Sequence, residues 1–335
     1  MKLMNNLENN PKIDKCISII SEEYKNVSKY QLIYNGINSL IVKLKHLDSK
    51  ESILKIYPSF VNDKRDRLVN EITFLKFLEI NNINNCPKVL YFNQENNFSV
   101  LSWIEGIKLK DSRDLELEDV ANFFCILNNS NLKKSNHLPL ASEANFNLEE
   151  TIKFINQIAQ NKLVNLGRFS PDNYFSSWFR NVLMDDIFTT LSYVEGKFLL
   201  HKFNFENNKI ISQSDVGLHN ILVKNKKLFF IDFEYAGWDN PMKFISDWIL
   251  QPDSFFPRKK PLDFFQPLVD SVINDINWKD NIEPYLLLNR IRWCLIISNK
   301  IFRLEESYTN KNREIFTKLK NYFLDSKNYI KSLYD

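Results

Sequence analysis

The sequence predicts an α+β fold with a small β-rich N-terminal lobe and a larger, mainly helical C-terminal lobe. Three observations predict it. Strand-like segments crowd the chain before Gly106. Helical periodicity dominates after it. One strand-rich island, Ile210 to Phe233, interrupts the helical part. Strands and helices segregated in this way point to α+β rather than to alternating α/β units. The expected division is 1–104 for the first lobe and 105–335 for the second.

The elements follow in order. Pro11 to Tyr24 reads as a short amphipathic helix. Tyr30–Tyr34 and Leu40–Leu44 are runs of β-branched and aromatic residues around the turn signal Asn35 to Ser39. Ile53 to Tyr57 is a third strand, ended by Pro58, with Lys55 in the middle of its apolar run. From Lys64 to Ile80 the period changes: Leu68, Ile72, Leu75 and Leu78 recur at spacings of three and four, one face of a helix that also carries Glu71. Val89–Phe92 and Phe98–Trp103 are two more strands. Helices are expected over Leu117–Asn128, Leu148–Leu163 and Ser176–Val194. In the island, Ile221–Val223 and Leu228–Ile231 flank Lys224 to Lys227, a hairpin pattern. Helices are then expected at Phe244–Leu250, 262–276, 283–304 and 312–333.

Composition bounds the function. Of 335 residues, 44% are apolar and 25% charged, an ordinary globular balance that excludes wholesale disorder. A net charge of +3 gives no general electrostatic case for nucleic acid or an anionic membrane as partner. The four cysteines form no C-x-x-C pair, which suits free thiols in a reducing compartment. The N-terminus lacks the apolar core of a signal peptide. The apolar stretch Tyr285 to Ser298 is broken by Asn289, Arg290 and Arg292, short of a membrane span. The expectation is a cytoplasmic protein.

The chemistry concentrates between Ser212 and Tyr235. Asp215 and Asn220 lie five apart across a loop containing Gly217, a strand starts directly after Asn220, and Asp232 ends the return strand. An antiparallel hairpin brings its two ends together. Two carboxylates and one amide oxygen should therefore share one rim. Hard oxygen donors of this kind suit Mg²⁺, which takes few protein ligands plus substrate phosphates. On this reading Asn220 and Asp232 hold the metal. Asp215 is then available to accept a proton from an attacking hydroxyl.

This D-x-x-x-x-N pattern, followed by D-F-x, resembles the protein-kinase-like superfamily. It is most similar to the aminoglycoside phosphotransferase and choline/ethanolamine kinase branch. Ile231 to Tyr235 reads I-D-F-E-Y, much like choline kinases and their bacterial relatives, in which the glycine of D-F-G is commonly replaced, as by Glu234 here. The resemblance implies a protein-kinase-like two-lobe fold, ATP and Mg²⁺ as cofactors, and Asp215 as the catalytic residue. It implies that Lys55 holds the ATP phosphates and that Glu71, 16 residues later, holds the lysine. It places Asn35, Gly36 and Ser39 in the phosphate-covering loop, and Trp103 and Ile104 at the adenine-binding hinge. The relatives' H-G-D reads Gln213, Ser214, Asp215 here, so the histidine under the D-F-x phenylalanine is absent.

Only 15 residues separate Asp232 from Asp247, which leaves no room for a segment that docks protein substrates. The expected partner is a small molecule with a hydroxyl: an amino-alcohol such as choline or ethanolamine, a sugar, or an aminoglycoside-like compound. A non-catalytic nucleotide-binding scaffold and an AMP transferase are the alternatives. Retention of Lys55, Glu71, Asp215, Asn220 and Asp232 together argues against a scaffold. Elsewhere ordinary roles are expected. Tyr235, Trp238 and Trp248 read as core rather than as an aromatic box for a quaternary ammonium. Asp239 reads as a helix cap or a contact for a substrate amine. Arg290 and Arg292 read as a solvated helix face.

Overall fold

The computed structural model describes residues 10–35, 39–58, 65–109, 118–129, 132, 137–169, 174–201, 204–252, 261–272, 278–303 and 310–334. Helix α1 (Pro11–Glu23) precedes strands β1 (Val27–Asn35), β2 (Leu40–His46) and β3 (Glu51–Ile56). Helix α2 (Arg67–Ile80), β4 (Val89–Asn93), β5 (Phe98–Ser102) and β6 (Ile107–Lys108) follow. Then come α3 (Glu118–Leu127), α4 (Leu148–Leu166), α5 (Tyr174–Trp178) and α6 (Met184–Phe198). The island supplies β7 (Ile210–Ser212), β8 (Ile221–Lys224), β9 (Lys227–Phe230) and β10 (Gly237–Asp239). The chain ends with α7 (Pro241–Ile249), α8 (Pro261–Phe264), α9 (Gln266–Val272), α10 (Trp278–Asn281), α11 (Glu283–Arg303) and α12 (Asn310–Ser332). Among the described residues no helix is long and apolar enough to cross a membrane.

These elements form two compact units, and the division is not the linear one expected at 104/105. Residues 213–237, with the hairpin β8–β9, group with residues 1–119 and 134–142. The other unit gathers 120–133, 143–212 and 238–335. The reason lies in pairing: β6 is laddered to β8, with Ile107 opposite Val223, and Phe230 donates its N–H to the Asn85 carbonyl at 2.9 Å. A side chain at Gly106 would meet the Val223 carbonyl at 2.8 Å, so a residue with no Cβ lets the two backbones close.

The first unit is built on an antiparallel sheet in the order β1-β2-β3-β5-β4. Its alternation divides the work between two faces. Val42, Leu44, Leu54, Ile56, Phe98 and Val100 point to one face and pack with Ile13, Cys16 and Ile20 of α1. Lys55 and its cross-strand partner Ser99 point to the other, toward α2. Asp66 starts α2 by accepting the Val69 N–H at 3.0 Å, slightly later than the periodicity predicts.

The second unit is helical. The expected helix Ser176–Val194 is interrupted: Phe179–Leu183 is a π-turn between α5 and α6. Its apolar residues four apart suit both windings, so the pattern does not reveal the extra residue. The 262–276 helix is likewise broken after Phe264. Arg290 and Arg292 are not a solvated face. They are 3% and 7% exposed. Arg290 pairs with Asp186 at 2.6 Å, and Arg292 with Asp247 at 2.6 Å and Glu143 at 2.8 Å. Their place on the inner side of α11 is set by the carboxylates they meet. Asn240, not Asp239, caps α7, accepting from the Met242 N–H at 2.9 Å. Asp239 is fully buried and accepts from Ser212 Oγ and Lys243 Nζ. Trp248 is core, 2% exposed.

Candidate active site

Every residue of the candidate site described here belongs to the first unit. Its centre is Lys55. The sheet turns this side chain away from the apolar face, and α2 lays Glu71 over it. Lys55 Nζ donates to Glu71 Oε2 at 2.7 Å and to Asp232 Oδ1 at 2.6 Å. Glu234 Oε2 stands 3.1 Å away. Lys55 is 3% exposed and Glu71 1%. Burial alone would favour a neutral amine. The carboxylates of Asp232, Glu71 and Glu234 outweigh it and hold the ammonium well above its ordinary pKa. The sequence-expected pair is therefore assembled, with Asp232 as a second partner.

Glu71 is held from three sides. Oε2 also accepts from the Tyr57 hydroxyl at 2.7 Å, and Oε1 accepts the Phe233 N–H at 3.1 Å. Phe233 is buried and stacks on Phe74 of α2, ring centroids 5.2 Å apart. One carboxylate thus ties the strand lysine, the third strand's end and the segment after β9 together.

The hairpin positions the rest. Its turn residues Asn225 and Lys226 both have positive φ, 49° and 62°, the geometry of a two-residue turn matched to strand twist. The ladder runs from Lys224↔Lys227 to Ile221↔Phe230, and the Ile231 N–H extends it to the Asn220 carbonyl at 2.9 Å. Asn220 and Asp232 accordingly flank the same end of the hairpin. Asp232 leaves the ladder in the left-handed region, φ 68°, a conformation that costs free energy and needs surrounding support. Gln213 supplies some of it: its side-chain amide donates to the Ile231 carbonyl and, at 3.3 Å, to that of Asp232. Glutamine thus braces the segment that carries Asp232.

Asn220 turns its amide N–H toward Asp215, 3.0 Å to the carbonyl and 3.5 Å to Oδ2, so its own side-chain oxygen faces elsewhere. The Asp215 carboxylate is about a third exposed, with His219 Nε2 at 4.0 Å from Oδ1. Hard oxygen donors dominate: Glu71, Asp232 and Glu234 can bring one carboxylate oxygen each within 4.8 Å of the others. The chemistry of this donor set fits a small divalent ion of the magnesium type. All three carboxylates contact the buried Lys55 ammonium, and Glu71 and Glu234 are themselves buried. Asp232, with 32% of its side chain exposed, is the one open to a ligand.

The remaining expected residues lie around this centre. Ser39 is buried at the entry of β2. Asn35 ends β1, opposite Leu40; Gly36 lies outside the described residues. Trp103 and Ile104 follow β5 and are half-buried, with Lys43 Nζ 4.1 Å from the Trp103 ring centroid. Sequence reasoning missed Glu234 as a site residue. Its carboxylate is 4% exposed and joins Lys55 to Arg67, which donates at 2.7 Å. Burial raises its pKa, although Lys55 and Arg67 oppose the shift. Arg67 and Arg65 also lie over the Tyr235 ring, each 4.8 Å from its centroid, so Tyr235 packs against cations of its own chain. The signal for Arg67 was its place four residues before Glu71 on one helix face.

Comparison with solved structures identifies the class of fold. The chain has the α+β, protein-kinase-like fold of small-molecule phosphotransferases. A choline kinase from Cryptosporidium parvum superposes with a TM-score of 0.64 at 15% identity, covering 96% of each chain. A spectinomycin phosphotransferase solved with ADP and spectinomycin gives 0.63 at 14%, covering 96% of this chain and 97% of the other. A Plasmodium vivax ethanolamine kinase gives 0.60 at 15%, covering 97% and 93%. No family model and no curated protein matches the chain. At these identities the likeness is one of fold.

Proposed function

We propose that this protein is an ATP-dependent phosphotransferase that moves the γ-phosphoryl group to a hydroxyl of a small molecule. The observation that carries the reading is the ion triad of buried Lys55 and Glu71 with part-exposed Asp232, joined by a single hairpin to Asn220 and Asp215. Asn220 and Asp232 would hold Mg²⁺, which supplies charge neutralisation on the phosphates. Lys55, kept charged by its carboxylates, binds phosphate oxygens. Ser39, with Asn35 and Gly36, lines the nucleotide loop, and Trp103 and Ile104 take the adenine. Asp215, partly open to solvent, orients the acceptor hydroxyl and accepts its proton. Catalysis then rests mostly on positioning and electrostatic stabilisation.

The acceptor class is an amino-alcohol, a sugar or an aminoglycoside-like compound. The fold likeness to a choline kinase, an ethanolamine kinase and a spectinomycin phosphotransferase supports it. So does the short connection from Asp232 to α7, which offers no platform for a protein substrate. The test is ADP release with Mg·ATP across a panel of amino-alcohols, sugars and aminoglycosides, with product mass read in parallel. Phosphorylation of one acceptor is expected. Asp232→Ala should abolish metal-dependent nucleotide binding. An adenylylated product, or nucleotide binding without any turnover, would replace this reading.

A further inference from the structure

The strand that carries Lys55 carries a second polar group on the same face. Tyr57 lies two residues on, and alternation returns its side chain to the side of α2. The ring is 1% exposed. Its hydroxyl lies 2.7 Å from Glu71 Oε2 and 2.9 Å from Ser99 Oγ. A phenol has one proton, and an ionised carboxylate can only accept. The Tyr57 proton therefore goes to Glu71, and Ser99 donates to the phenol oxygen. Burial, then the Glu71 carboxylate, push the phenol well above its ordinary pKa, so the donor is never lost in the neutral range. Ser99 is itself 0% exposed and sits opposite Lys55 in the ladder.

This buried chain does more than satisfy polar groups. Glu71 Oε2 is shared by Lys55 Nζ and the Tyr57 hydroxyl, both at 2.7 Å. A carboxylate with only the lysine and the Phe233 N–H could rotate about its terminal torsion, which is broad for glutamate. A third donor, rigidly mounted on the lysine's own strand, removes that freedom. An apolar residue of the same size would fill the space without fixing the carboxylate.

We propose that Tyr57 is a positioning residue for nucleotide binding: its hydroxyl, oriented by Ser99, fixes the Glu71 carboxylate and through it the Lys55 ammonium. The inference rests on the phosphotransferase reading for the role of Lys55. It assigns to Tyr57 a function in affinity for the nucleotide and none in the acceptor step.

The test is a double-mutant cycle read as the Kd of Mg·ATP, with Tyr57→Phe, Glu71→Gln and the double variant. Tyr57→Phe should weaken Mg·ATP binding about five- to tenfold, the scale of a hydrogen bond to a charged group partly expressed in affinity. In the Glu71→Gln background the same change should add less than about twofold, because coupled groups are not additive. Ser99→Ala should weaken binding in the same direction and by less, about twofold, which serves if Tyr57→Phe does not fold. Full additivity, or wild-type affinity in both Tyr57→Phe and Ser99→Ala, overturns the assignment. A wild-type protein that binds no Mg·ATP sinks this inference and the function together. Coupled binding without phosphorylation of any acceptor sinks only the function.

Discussion

Two buried charge clusters, one in each unit, contain nearly the same inventory. Around Lys55 and Arg67 stand Glu71, Asp232 and Glu234. Around Lys243 and Arg292 stand Asp239, Asp247 and Glu143. Each has one carboxylate that reaches solvent: 32% of the Asp232 side chain and 28% of that of Glu143 are exposed. Both of these residues adopt positive φ. The difference is in which cation sits at the centre. Arg292 spreads its fork over Glu143, Asp247 and Asn289, each on a different nitrogen. Such a planar fork fixes three elements at once and suits a permanent brace. Lys55 is a point charge shared among three carboxylates, and a point charge can exchange one partner for a ligand without dismantling the rest. The same burial of charge can thus serve attachment in one place and exchange in another.

The largest expected effect sharpens this contrast on the side of chemistry. Asp215→Asn should retain Mg·ATP binding and lose about 10²- to 10⁴-fold in turnover, the range ascribed to a positioned base. Steady-state kinetics beside nucleotide binding would check it, and wild-type turnover would remove Asp215 from its role. The next prediction breaks the second cluster. Arg292→Met leaves Asp247 buried without its principal partner and should cost about 3–5 kcal/mol in unfolding free energy. Arg292→Lys should recover only part of it, because a single nitrogen cannot reproduce a planar fork that meets Glu143, Asp247 and Asn289 through three different nitrogens. Denaturant titration reads both. A Lys variant as stable as wild type would erase the distinction drawn between the clusters.

Lys55→Met should show the mixed case: loss of Mg·ATP affinity together with a lowered melting temperature, since three carboxylates then crowd without their cation. A loss of affinity with unchanged stability would mean that the carboxylates relax by taking up protons. The smallest effect concerns pH. Burial would raise the Asp186 carboxyl, but Arg290 and Lys327 outweigh it and hold it below the usual range. A carboxyl depressed in the folded state contributes stability above its unfolded pKa of about 3.9. That contribution fades as pH falls through the folded value. Melting temperature measured from neutral pH into the acid range should fall more steeply for wild type than for Asp186→Asn.

Much of the first cluster was legible in the sequence, and the reason is local. Lys55 inside an apolar strand and Glu71 on the inward side of the next helix could be located from the sequence, while their pairing was implied by the resemblance. The hairpin ends were equally readable, because antiparallel pairing turns sequence distance into proximity. Glu234 and Arg67 were not, since their burial follows from how α2 and the segment after β9 pack. Arg290 and Arg292 look like surface charges along α11. Only the distant Asp186, Glu143 and Asp247 reveal that this side of the helix is internal. Gln213 shows the same limit in reverse. The missing histidine was visible, but its replacement by an amide braced on two carbonyls depends on the backbone path of residues 231 and 232.

The first unit is discontinuous in the chain, and that has a consequence for its biosynthesis. Two of the three carboxylates around Lys55 come from residues 232 and 234, and the strand that covers β6 comes from 221–224. A chain made only as far as residue 119 holds Glu71 beside Lys55 but lacks Asp232 and Glu234, and so lacks the carboxylate that pairs with Arg67. The set of three carboxylates around Lys55 is complete only once residues 232 and 234 have been made.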